Sequence, residues 1–346
     1  MRALTGLLFV AALATACGSK LPGGHSVPGS DKVPGGAENA AGALGGTSGE
    51  VDPNTCGNYA ITDAGRKLHD FLVATKDVQK ISLETVQVVK ESCLMMGHEL
   101  GLNDDDMKGE TKDICAKVYG TIHDNMKVAF KAKAALKIKV KPAVCKVDID
   151  AEAEAAAKCE GKASADMGAS CSGACHGKCD GTCSGKAGTG GNSGECNGEC
   201  KGTCHGSCEG HADVKASGQC KASAQAHASA NVTCSDPEVS VEADLKLAVD
   251  KTKAEHTIAA LKSGLPKIFS VKARLEPLQA AVETWASSAK ELKEMGPKFV
   301  NSFKDQALCI SGQIAAAFNM IGSIQMNVNV SVEVSASASG TVGGGA

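Results

Sequence analysis

The chain has 346 residues, 36 Lys and Arg against 39 Asp and Glu, and a formal charge of −3, with no basic stripe. That balance argues against nucleic acid or an anionic membrane surface as partner. Aromatic residues are only 3% of the chain, low for binding by stacking or by aromatic hot spots, and 17 cysteines dominate what remains.

Met1 and Arg2 precede an apolar run, Ala3 to Leu13, and then Ala14-Thr15-Ala16-Cys17. A charged start, a short apolar core and small residues before a cut site predict a signal peptide over residues 1–16. The run is shorter than the roughly 20 residues a membrane span requires. Small residues leading into Cys17 resemble the bacterial lipoprotein signal, in which the cysteine becomes the first mature residue and carries the lipid. Ala14 stands where that family usually has Leu, so an ordinary signal peptide cleaved before Cys17 is the alternative. The resemblance implies an exported chain, lipid-anchored at the outer membrane or cell surface. Residues 17–55 repeat Pro-Gly-Gly and Val-Pro-Gly with hardly a large apolar side chain, which predicts a flexible tether.

Residues 56–136 are expected to form the first half of a helical bundle. Val86, Val89, Cys93, Met96 and Leu100 recur three and four apart, and Ile114, Val118, Ile122 and Met126 four apart. Gly101 to Asp106 makes the turn between them, so Cys93 and Cys115 pair across it. The run Asn103-Asp104-Asp105-Asp106 lacks the alternate ligands, central Gly and distal Glu of a calcium loop and is read as a helix start.

Between residues 137 and 243 the cysteines carry a register. Two blocks, Cys171, Cys175, Cys179, Cys183 and Cys196, Cys200, Cys204, Cys208, repeat Cys-x-Gly-x. In an antiparallel hairpin the partners' numbers add to one constant. Cys183 with Cys196, Cys179 with Cys200, Cys175 with Cys204 and Cys171 with Cys208 all give 379, and so do Cys159 with Cys220 and Cys145 with Cys234, which lie outside the blocks. The expectation is one very long β-hairpin with six bridges on one face, closed by Gly-rich loop 185–194. Ala151, Ala153, Ala155 and Ala157 would oppose Ala228, Ala226, Ala224 and Ala222. The other face would be polar: Asp148, Asp150, Glu152 and Glu154 opposite Asn231, Ser229, His227 and Gln225. Unbroken, such an arm reaches roughly 150 Å at 3.3 Å per residue.

Residues 244–324 are expected to complete the bundle with three helices, punctuated at Gly264-Leu265-Pro266 and Gly296-Pro297. Over 325–342, Met326, Val328, Val330, Val332, Val334, Ala336 and Ala338 alternate with polar residues, which reads as a third, C-terminal strand beside the hairpin. Cys56 with Cys309 is left as the last pair by elimination. The expected fold class is thus α+β, a helical bundle with a long inserted, disulfide-stapled antiparallel β-hairpin.

Thiolates four apart on a strand lie about 13 Å from each other, beyond a shared ion, and the Cys-x-Cys clusters of metallothioneins are absent. No metal or other cofactor is expected. His176 and His205, diagonal on the polar face, read as solvated side chains. No Gly-x-Ser-x-Gly, His-Glu-x-x-His or phosphate loop occurs, and bridged cysteines are not nucleophiles, so the reading is non-enzymatic. The leading function is a lipid-anchored envelope or surface protein presenting a rigid arm for structural or adhesive roles. Its expected partners are the membrane, through the anchor, a protein or glycan, and a second copy through the Ala-rich face. The alternative is a membrane-active protein, because a bundle with a β-tongue resembles the α-helical pore-forming toxins in outline. Metal storage is the lesser alternative.

Overall fold

The computed structural model describes residues 51–130, 136–164, 167–187, 193–210 and 212–344. The signal segment, Cys17, most of the tether and the middle of loop 185–194 lie outside the described residues. The fold is mixed helix and antiparallel strand.

Helix α1 (Asp63–Glu99) starts where the Thr62 side chain accepts a hydrogen bond from Gly65 N at 3.0 Å. It stops at Gly101, whose φ of 75° lets Leu102 N reach Gly97 O and Gly101 N reach His98 O. After the turn, α2 (Thr111–Ala129) packs back against α1, and Cys93–Cys115 ties the pair. The tether reading ended too late: Val51 is fully buried and belongs to the bundle core, so the fold has begun before Cys56.

Strands β1 (Leu136–Lys141) and β8 (Glu238–Ala243) pair in the expected register, with Val140 opposite Val239. Next come β2 (Cys145–Asp148) and β7 (Thr233–Cys234), with Cys145 opposite Cys234. There the single hairpin ends, which corrects the sequence reading. The alanine-rich segments are helices, α3 (Ile149–Glu160) and α4 (Gly218–Ala230), not paired strands. An Ala-x-Ala-x run satisfies both periods, and alanine's high helix and low strand propensity decides between them. Asp148 caps α3 by accepting from Ala151 N at 3.0 Å, and Gly161 ends it with a φ of 67°.

The buried set of α3 is Ile149, Glu152, Ala153, Ala156, Ala157 and Cys159, a helical stripe. The expected polar face is therefore split: Glu152, Ser229 and Gln225 are buried, whereas Asp148, Asp150, Glu154 and Asn231 are exposed. Helix α4 packs on α1, α3 and α5 (Lys251–Asn301), so its four alanines and Ala153 and Ala157 of α3 are covered within the chain, while Ala151 and Ala155 stay half-buried. Beyond these helices follow β3 (Ala169–Cys171), β4 (Ala174–Ala187), β5 (Ser193–Glu209) and β6 (Ala212–Val214). Helical rise of 1.5 Å per residue, in place of 3.3 Å, shortens the arm accordingly.

Two further expectations are overturned in the second half. Helix α5 (Lys251–Asn301) runs unbroken through Gly264, Pro266, Pro277, Gly296 and Pro297, so there are not three helices. Helix α6 (Ala307–Gly344) replaces the C-terminal strand and removes the boundary at residue 324. From Ile324 onward its buried positions are Ile324, Val328, Ser331, Val334, Ser335 and Ala338, which return every three or four residues. The strand reading followed the valines and missed that two serines complete the buried stripe.

At the bundle centre Trp285 of α5 stacks on Phe71 of α1, with ring centroids 5.9 Å apart. The buried Trp285 Nε1 donates to Thr75 Oγ1 at 3.1 Å, and that hydroxyl donates to Phe71 O at 2.7 Å. Both polar groups of the contact are thereby satisfied.

Candidate functional site

Strands β4 and β5 pair along two edges. On one edge Cys175 is opposite Cys208, Gly181 opposite Gly202 and Cys183 opposite Cys200; on the other Cys175 is opposite Gly198 and Cys179 opposite Gly194. Over Cys175–Asp180 each β4 residue therefore has two β5 partners ten residues apart. Between those contacts β5 must pass around the far side of β4, so the ribbon closes on itself as a coil. Closure leaves no unpaired edge along that stretch.

The Cys-x-Gly-x repeat is what such a coil requires. Alternate residues share a face, so cysteines and glycines point together and the intervening residues point away. Cys175, Cys179, Cys196, Cys200, Cys204 and Cys208 are buried. Their glycine neighbours lie where the opposite backbone crosses: a Cβ on Gly181 would sit 2.2 Å from Lys201 O, and one on Gly206 2.6 Å from His176 O. Gly206 has a φ of +102° as well.

The sixteen cysteines other than Cys17 are all bridged. The pairs are Cys171–Cys208, Cys175–Cys204, Cys179–Cys200 and Cys183–Cys196 in the coil, Cys159–Cys220 between α3 and α4, Cys145–Cys234 at the base, and Cys93–Cys115 and Cys56–Cys309 in the bundle. These are the pairs the constant sum and the elimination name. The strand register inside the coil is different: ladder partners add to 383 on one edge and to 373 on the other, so the bridges, at 379, follow neither ladder and lie four residues out of the first. Eight disulfides belong to a chain that folds in an oxidising, exported environment.

The histidines singled out in the sequence are each tied to carboxylates. His176 Nε2 meets Glu209 Oε1 at 2.7 Å, and His205 lies between Asp180 at 3.2 Å and Asp150 at 3.5 Å. The Lys178 ammonium beside Asp180 holds that carboxyl below its usual range. In the acidic turn, Asp105 pairs with Lys108 at 2.7 Å and Asp106 with Lys117. Among the described residues no cluster of three or more His, Cys, Asp or Glu is arranged to hold a metal ion.

Three features were not singled out from the sequence. Glu152 is buried on α3, its Oε1 has no hydrogen-bond partner among the described residues, and burial lifts its carboxyl to about 8, Asp213 adding to the rise and Lys221 opposing it. The Asp148 cap marks a helix start, and helical spacing from Ile149 then puts Glu152 on the same face as Ala153 and Ala156. The second feature is the low charge of α6, in which Glu333 is the lone ionisable side chain and pairs with Lys112 at 2.8 Å. The third is a cleft of about 740 Å³ between the base of the arm and the middle of α5. Val140, Pro142 and Val147 form one wall, Phe269, Lys272 and Pro277 the other. Lys272 Nζ donates to Ser339 Oγ of α6 at 2.8 Å, which joins the two long helices at the cleft.

In comparisons with protein-family models, curated proteins and solved structures, nothing matches this chain.

Proposed function

We propose that the protein is a non-enzymatic, lipid-anchored protein of the bacterial cell envelope or surface, which presents its disulfide coil as a rigid element for binding or structural support. The observation that carries this reading is the coil itself. It has bridges at every fourth residue of a glycine-rich ribbon, a composition that by side chains alone leaves register weakly specified. Covalent stiffening on that scale suits a part that must keep its shape outside the cell. The Ala14-Thr15-Ala16-Cys17 start supports the anchor.

The coil's outward positions, among them Lys178, Thr182, Lys201 and Thr203, are polar or charged and offer a protein or glycan partner hydrogen-bonding groups. The test has two parts on the intact chain expressed in a bacterial host. Labelled palmitate should enter the wild type and not a Cys17→Ser variant. Cross-linking in whole cells should capture a partner that a Lys178→Glu/Lys201→Glu variant loses. An unlabelled, soluble chain sinks the anchor, and an unchanged cross-linking pattern sinks the coil as the contact.

A membrane-active second reading is favoured by one observation. The segment Lys304–Gly340 is long and apolar enough by length and composition to cross a membrane. On this reading α6, rather than the polar coil tip, is the inserting part. Leakage of liposomes at micromolar protein supports it, and intact liposomes dismiss it.

A further inference from the structure

We propose that the cleft at the base of the arm binds one fatty acid, its carboxylate at Lys272 and its acyl chain along the apolar wall. The volume, about 740 Å³, falls within the size of small-molecule sites. On α5 the wall is formed by Phe269, Lys272, Ala273, Pro277 and Ala280, positions three or four apart on one helix face. From Lys272 to Ala280 that face offers about 12 Å of uncharged, small or apolar surface. Val147 and Val232, both buried, stand across from it with Pro142. The wall is therefore charged at one end and apolar beyond it.

Among the described residues, Lys272 is the one formally charged residue lining the cleft. Its Nζ lies 5.9 Å from the centre of the Phe269 ring and donates to the Ser339 hydroxyl, and among the described residues no carboxylate pairs with it. An ammonium has three donors, so it retains the capacity to meet an anion, and Ser339 Oγ can donate to the same head group. A single cation matches a monoanion. A phosphate head group calls for a bidentate or multiple-cation clamp, which the described lining residues do not form. A carboxylate on a single acyl chain is the ligand that satisfies both ends. Because Lys272 is on α5 and Ser339 on α6, the occupied site would also fasten these helices to each other.

The experiment uses the full chain with Cys17→Ala, so that no acyl group is attached, and the dansyl-labelled fatty acid 11-(dansylamino)undecanoic acid. The expected result is saturable binding of one probe per chain, displaced by palmitate and not by dodecyltrimethylammonium. Lys272→Glu should weaken binding at least tenfold, Lys272→Arg should keep it within threefold, and Ala273→Leu, which fills the wall, should weaken it with the charge intact. Non-saturable binding, equal displacement by the cationic amphiphile, or wild-type affinity in both Lys272→Glu and Ala273→Leu overturns the proposal. So does a lipidated wild-type chain whose own acyl group already blocks the probe, because the occupant is then the anchor and not a free fatty acid.

Discussion

Cys175 lies opposite Cys208 in the β4–β5 ladder, yet its disulfide runs to Cys204. Its two ladder partners, Gly198 and Cys208, mark where β5 passes the two edges of β4. Cys204 falls between them on the far side, so the bridge spans the interior of the coil instead of a rung. Cys171 in turn holds Cys208.

This displacement has a chemical consequence. In a Cys204→Ser variant the freed Cys175 thiolate faces Cys208 of an intact bridge, the geometry for thiol–disulfide exchange. Non-reducing peptide mapping at alkaline pH should find a Cys175–Cys208 bridge and a free Cys171. A Cys175 that stays free at alkaline pH would show that the interior holds it away from its ladder neighbour.

Two glycines separate crowding from backbone freedom. Gly181→Ala places a Cβ 2.2 Å from Lys201 O, in a ribbon fixed by bridges on either side, and should lower stability by about 2 kcal/mol. Gly120→Ala, in helix α2 with nothing within 4 Å of the added carbon, should raise it by about 1 kcal/mol. Urea denaturation of both variants checks the opposite signs.

Glu152 makes stability depend on pH. Its carboxyl sits at about 8 in the fold against an ordinary 4.5, so the folded state binds the extra proton. That contribution is fully present below about 4.5 and is lost as pH rises towards 8, with a slope reaching about 1.4 kcal/mol per pH unit. His227, raised by its hydrogen bond to Asp77, loses stability in the same direction as pH passes its folded value. Glu152→Gln should flatten the dependence without removing the histidine's share. Denaturation midpoints at pH 5 and pH 8 that differ as much in the variant as in the wild type would refute the assignment.

The C-terminal helix is tested by two neighbours. A strand would place Met326 and Val328 on the same face, but in α6 Met326 is 61% exposed and Val328 3%. Val328→Asp should cost about 3 kcal/mol as an unpaired buried charge, and Met326→Asp within about 0.5 kcal/mol of nothing. Equal effects in thermal melts would favour the alternating reading.

The sole tryptophan reports on the core. Trp285 is fully buried against Phe71, so emission should be blue-shifted in the native chain and move red in one step with denaturant. Trp285→Phe leaves the Thr75 hydroxyl without its donor and makes a partial cavity, at a cost of about 2 kcal/mol.

The bridges were legible because covalent pairing left a numerical trace: six pairs obey one sum across segments of quite different structure. That same trace hid the structure. A constant sum demands only that two segments run antiparallel and be bonded, which α3 and α4 satisfy through Cys159–Cys220 as well as β1 and β8 do as strands. Alanine every second residue is neutral between periods, and the deciding signals were small ones: the Asp148 cap, the Gly161 stop and the serines of the α6 stripe. The coil was not legible at all, because its second register arises only when β5 wraps around β4. The cleft depends on Lys272 meeting Ser339 across 67 residues, which no local pattern encodes.

Cys56–Cys309 joins two points 253 residues apart, with Cα atoms 5.6 Å from each other. Every other described bridge lies within the ring it closes. Tension applied through the residues before Cys56 and those beyond Cys309 therefore passes through one covalent link and bypasses every segment between those two cysteines, the coil included. A chain hauled from one end while held at the other would strip α6, and with it the Ser339 side of the cleft, before it unwound anything inside that ring.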